Sequence, residues 1–220
     1  MNLSMRSRAA VMIISYFVVQ LLLAPILTRF MSVDMSSIVA SAILLMIALL
    51  IYGKHLVNEF HRFKHDFDGW GKFILKAVGY YLLLYILRVI VMMVLMNFMD
   101  IDNLLQNQQS LNDMSTSLSF LSMFFMVSIY APIVEELVFR EALLGWVDKI
   151  SRNLLILMTV FSIFLFTLLH AFEIADFLLY LPLTLVLTKY YFDYDRNVVG
   201  SIAFHFINNA IAVVLMYILL

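Results

Sequence analysis

Long apolar runs alternate with short polar stretches along the chain, and seven of the runs are close to the ~20 residues a helix needs to cross ~30 Å of hydrocarbon. They extend from about Ala9 to Leu27, Ser36 to Tyr52, Phe73 to Met99, Ser117 to Val147, Asn153 to Phe172, Ala175 to Phe192 and Val198 to Leu220. The pattern predicts an all-α fold, a polytopic membrane helical bundle of about seven transmembrane helices. The fourth run is the long one: its 31 residues (117–147) would make a single helix of ~46 Å. It is therefore expected to tilt, to project from the bilayer or to break near Pro132. Between the second and third runs, Leu56, Phe60, Phe63, Phe67 and Trp70 recur every three or four residues, with Lys54, His61, Arg62, Lys64, His65 and Asp66 in between. That spacing predicts one interfacial helix, about residues 55–71, lying on the membrane surface. Residues 101–116, rich in Asn, Gln and Ser, read as a plain connector. The chain reads as one integral membrane domain: residues 1–116 hold helices one to three and the interfacial helix, and 117–220 hold helices four to seven.

Composition settles the solvent. With 64% hydrophobic and 13% charged residues, and a mean hydropathy of +0.98, the chain carries more apolar surface than one soluble core can bury. A net charge of -1 gives no sign of a nucleic-acid partner, and the absence of cysteine removes disulfides, thiolate metal sites and cysteine nucleophiles. If the spans alternate, Arg6, Arg8, Lys54, Arg62, Lys64, Lys72, Lys149, Arg152, Lys189 and Arg196 fall on one side and only Arg29 on the other. The opposite loops carry Asp34, Asp100, Asp102, Asp113, Glu173 and Asp176. The positive-inside rule then predicts a multi-pass cell-membrane protein with its N-terminus in the cytoplasm and its C-terminus outside. The first apolar run lacks a small-residue cleavage site and reads as an uncleaved span.

Ionisable groups inside such runs are costly, about 2.5 to 3.5 kcal/mol each at a helix centre, so those present are site candidates. In the last four runs they are Glu135, Glu136, Arg140, Glu141, His170 and His205, joined by the amides Asn208 and Asn209. Glu136 and Arg140 stand at i and i+4 and can neutralise one another, whereas Glu135 is turned about 100° away. Phe166 and His170, and His205 and Asn209, share the same spacing. At ~1.5 Å per residue, Glu135, His170 and His205 lie ~20, ~26 and ~18 Å from the same side, close enough in depth to converge. A carboxylate beside a histidine can activate water, and a second histidine with an amide can hold the oxyanion formed at a peptide carbonyl. Taken singly, a buried histidine is usually bonded to a carbonyl and a buried asparagine is usually interhelical glue; the joint pattern favours a site. His61 and His65, also i and i+4, lack a third ligand and read as a solvated face. Arg88 is expected to pair with an acid such as Glu141 or to extend to the interface.

Glu135-Glu136-x-x-x-Arg140, Phe166-x-x-x-His170 and His205-x-x-x-Asn209 together resemble, in order and spacing, the motifs of the CAAX protease and bacteriocin-processing (Abi) family. The resemblance covers about Ser117 to the C-terminus, close to half the chain. It implies that Glu135 and His170 activate water, that His205 and Asn209 form the oxyanion hole, and that Glu136 and Arg140 are structural supports. Glu141 departs from it, since many members carry glycine there. The leading expectation is an intramembrane endopeptidase acting on a peptide or protein presented at the lipid bilayer. The alternative is a non-catalytic bacteriocin immunity or scaffold protein of the same fold. No cofactor is favoured; zinc on Glu135, His170 and His205 is the other possibility, set back by the missing HExxH pattern and by the need for one carboxylate to be both ligand and base. Bacteriocin, pheromone or similar precursors are expected ahead of prenylated substrates, and the sequence carries no signal of oligomeric state.

Overall fold

The computed structural model describes residues 4–65, 69–98, 106–147 and 151–219. Helix α1 is Met5–Leu27, α2 is Val33–His65, α3 is Trp70–Leu95 and α4 is Gln106–Ser117. Helix α5 is Phe120–Ala142, α6 is Arg152–Leu169, α7 is Ile174–Asp193 and α8 is Val198–Leu219. Among the described residues seven helices, all except α4, are long and apolar enough to cross a membrane. The protein is a multi-pass helical bundle.

The stretch expected to form a separate interfacial helix is divided differently. Residues 55–65 are the last turns of α2, which runs unbroken for 33 residues, and Trp70 opens α3; residues 66–68 lie outside the described part. Nothing in 54–65 stops a helix, and its end is tied to the turn between α7 and α8. Arg62 donates to the Asp195 carbonyl at 3.2 Å, Asn197 donates to the Glu59 carbonyl at 2.9 Å, and the Phe63 ring packs against Tyr194.

The over-long fourth run is also resolved in an unexpected place. It divides at Leu118 and Ser119, where α4 ends and the Ser119 hydroxyl accepts from the Ser122 backbone N–H to start α5. Residues 106–117, expected as a connector, are helical, with Ser115, Thr116 and Ser117 each donating to the carbonyl three residues back. Pro132 does not break α5. The helix widens into a π-helical stretch over Phe124–Tyr130, ending where the Ala131 N–H bonds the Met126 carbonyl five residues back, and this absorbs the donor and space that proline removes. Val19–Leu23 does the same before Pro25 in α1. A further π-helical stretch, Leu137–Ala142, follows Glu136.

Helices α5 and α7 form the centre. Half (50%) of the most apolar window of α5 and 56% of that of α7 are buried, against 11% for α3. Helix α5 packs on α1, α2, α6 and α8, and α7 packs on α3, α6 and α8. The polar residues of α5, α8 and the end of α6 consequently face protein rather than lipid. A short link joins α6 to α7, closed by a capping box in which Asp176 accepts from the Phe172 and Glu173 backbone N–H groups; this sets His170 beside α7.

Candidate active site

Glu135, in the α-helical segment between the two π-helical stretches of α5, is met by both histidines. Its Oε1 lies 3.5 Å from His170 Nε2 and its Oε2 lies 3.8 Å from His205 Nε2. Both separations exceed a normal hydrogen bond. Each ring is fixed through its other nitrogen: His170 Nδ1 donates to the Phe166 carbonyl at 2.7 Å, and His205 Nδ1 donates to Glu136 Oε1 at 3.0 Å. When a ring is neutral its Nε2 is then the acceptor nitrogen, and both Nε2 atoms face the Glu135 carboxylate. His170 is also clamped flat between aromatic rings, stacked on Phe166 at 4.6 Å and on Tyr180 at 4.5 Å.

Behind this pair lies a fully buried polar layer. Glu136 accepts from the Ser201 hydroxyl and from His205, and Arg140 Nε approaches its Oε2 at 3.4 Å. The Arg140 guanidinium lies over the Phe166 ring at 4.6 Å, a contact that helps to hold a desolvated cation. The expected i, i+4 pair is thus one edge of a network of four side chains, and Glu136 orients His205 as well as balancing Arg140. Ser201 was not anticipated, although it stands four residues before His205 and so on the same helix face. Glu141 binds neither Arg140 nor Arg88; its Oε1 meets His55 Nε2 at 2.9 Å.

Glu135 and His170 open on a cavity of about 220 Å³ that also has Tyr130, Tyr180, Asn208, Asn209 and Arg88 in its wall. Asn209 donates one amide N–H to the Val127 carbonyl at 2.8 Å and accepts from Asn208 at 2.9 Å, so its position is set while its second N–H is uncommitted. Tyr130 is fixed from α1 by the Gln20 amide at 2.9 Å. Tyr130, Tyr180 and Gln20 had no sequence signal, because their contacts depend on lateral packing between helices. The two histidines address different oxygens of Glu135, and among the described residues no three His, Asp or Glu side chains meet as a metal-ion site. His61 is exposed on α2, and the side chain of His65 lies outside the described part.

Residues 117–211 match the family model described as "Type II CAAX prenyl endopeptidase Rce1-like". Over this region the chain is similar to type II CAAX prenyl endopeptidases, in keeping with the resemblance to the CAAX protease and bacteriocin-processing family. The match contains every residue of the Glu135, His170 and His205 cluster and leaves out α1, α2 and α3. The chain is also similar to "UPF0177 protein YbdI" of Lactococcus lactis subsp. lactis (strain IL1403), 28% identical over 163 residues, covering 74% of this chain and 86% of that protein. No solved structure matches. At a coarse level the family supports a protease.

Proposed function

We propose that the protein is an intramembrane endopeptidase in which Glu135 activates water against a peptide carbonyl, without a metal ion. The observation that carries this reading is the grouping around Glu135: two imidazole Nε2 atoms at 3.5 and 3.8 Å flank a carboxylate that opens on the cavity. Water oxygen attacks the carbonyl carbon as Glu135 takes its proton, with His170 orienting the water. The resulting oxyanion accepts from the second N–H of Asn209 and from His205 when that ring also carries a proton on Nε2. The tetrahedral intermediate then breaks its C–N bond as the proton passes through Glu135 or His170 to the departing nitrogen. The products are a carboxylic acid and an amine.

The substrate is a peptide or protein presented at the bilayer. Peptide precursors are the expected substrates, and a prenyl-bearing peptide is the class named by the family model. The basic residues favour a cell-membrane protein with a cytoplasmic N-terminus. The test is turnover of a peptide pool by protein purified in detergent, with elemental analysis of the same preparation. Cleavage that vanishes in Glu135→Gln and persists in metal-free protein supports the scheme. Stoichiometric zinc lost together with activity overturns the metal-free part. Full function of Glu135→Gln and His170→Ala in the native host overturns the enzyme and leaves a binding or immunity protein of the same fold.

A further inference from the structure

Arg88 sits within a membrane-spanning helix, where a guanidinium is expensive unless something compensates it. Other basic residues of the bundle are matched: Arg140 by Glu136, Arg62 by Glu59, and Lys189 by Asp193. Arg88 has no hydrogen bond or ion pair among the described residues. Its electrostatic neighbours are Tyr180 and Tyr81, with no carboxylate among them. It does not face lipid either. Leu84, one helical turn before it, and Leu95, two turns after it, are buried, and Leu95, Val91 and Met92 pack on Ala175 and Leu179 of α7. Arg88 shares this inward face of α3, and its side chain forms part of the wall of the cavity that holds Glu135 and His170. Tyr180, which stacks on His170, is its neighbour on the α7 side.

We propose that Arg88 is a specificity-determining residue that pairs with a carboxylate of the bound peptide, so that the substrates are peptides bearing an anionic group near the scissile bond. A guanidinium offers two parallel N–H donors to a carboxylate, a pairing that is strong and directional. The apolar remainder of the wall, Met126, Leu183, Val213 and Met216 among it, offers no competing charge. The carboxylate is either the free C-terminus of the peptide or an Asp or Glu side chain. Because the cavity is about 220 Å³ and an extended chain advances ~3.3 to 3.6 Å per residue, the anion lies within a few residues of the bond addressed by Glu135. This inference rests on the hydrolytic reading for its catalytic consequence, and on the cavity alone for binding.

The experiment uses full-length protein in detergent and three pools of heptapeptides randomised over all residues except Asp and Glu: free acid, C-terminal amide, and C-terminal amide with one Asp or Glu fixed. Cleavage is read by mass spectrometry, and binding is read on the Glu135→Gln variant by fluorescence anisotropy. The expected result is a preference of about 10- to 100-fold for an anionic pool over the neutral amide. Arg88→Met should erase it by raising KM with kcat nearly unchanged, and Arg88→Lys should keep part of it. Preference for the free acid identifies the terminus; preference for the pool with an internal acid identifies a side chain. Binding preference without cleavage removes the enzyme reading and keeps the role of Arg88. Cleavage or binding with the same acid-to-amide ratio in Arg88→Met overturns the role, as does the absence of any preference in the unmodified protein. A folded Arg88→Met protein is verified by its melting curve before either measurement.

Discussion

Two of the glutamate–histidine centres on helix α5, at Glu135 and Glu141, stand only six residues apart and are built in opposite ways. At Glu141 a single histidine comes close: His55 Nε2 stands 2.9 Å from the carboxylate, at ion-pair distance though outside hydrogen-bond geometry, and this contact links α2 to α5. At Glu135 two histidines approach, yet neither comes closer than 3.5 Å, because Phe166 and Glu136 hold each ring by its other nitrogen. A structural pair gains most by closing. A reactive carboxylate needs its histidines held beside it with an edge left open to the cavity that the reacting molecule enters. The residues that hold the two rings in place therefore matter as much as the rings themselves.

The largest effect should come from Glu135→Gln, which keeps shape and removes the base: turnover should fall by about 10²- to 10⁴-fold with an unchanged melting temperature. Peptide cleavage and a melting curve on the same sample check both halves. Arg140→Ala acts on the layer behind the gap. It leaves Glu136 as an uncompensated buried charge and should cost about 3 to 5 kcal/mol, read as lost yield of monodisperse protein and an earlier thermal transition. Wild-type yield would show that Ser201 and His205 alone satisfy Glu136. Asn209→Ala removes one oxyanion donor and also frees the Val127 carbonyl; kcat should drop about 10²- to 10³-fold while measurable turnover persists. The smallest effect is expected at the closed centre, where Glu141→Gln should cost about 1 kcal/mol in stability and change kcat by less than about twofold. A large loss of turnover in that variant would make Glu141 part of the reacting machinery and end the contrast.

What could be read from the sequence was what a single helix determines by itself. Phe166 with His170, Glu136 with Arg140 and His205 with Asn209 follow from four-residue spacing, and apolar run length located the seven crossing helices. Ser201 was equally within reach by the same spacing. Tyr180 against His170, Gln20 against Tyr130 and Arg88 in the cavity wall were not, because each depends on which helices become neighbours. The interfacial helix was misjudged for a related reason: periodicity reports a face, and 55–65 has one, but the same pattern suits a long helix whose end is held by another turn. Pro132 was a poor guide to the break because a π-helical stretch accommodated it, whereas Ser119, an N-cap residue, marked the true start of α5.

The widened turns of α5 make its exact length consequential. Phe124–Tyr130 closes rings of five residues rather than four, so removing a single residue there would let the backbone tighten to ordinary α geometry. The tighter turns would offset most of the about 100° that the loss of one residue imposes on an ordinary helix, so the outer part of α5 would stay close to its register with Glu135. The α-helical segment Ala131–Glu136 has no such slack. Deleting Ile129 should therefore lower the melting temperature far less than deleting Ile133, which would rotate Glu135 against the outer helix.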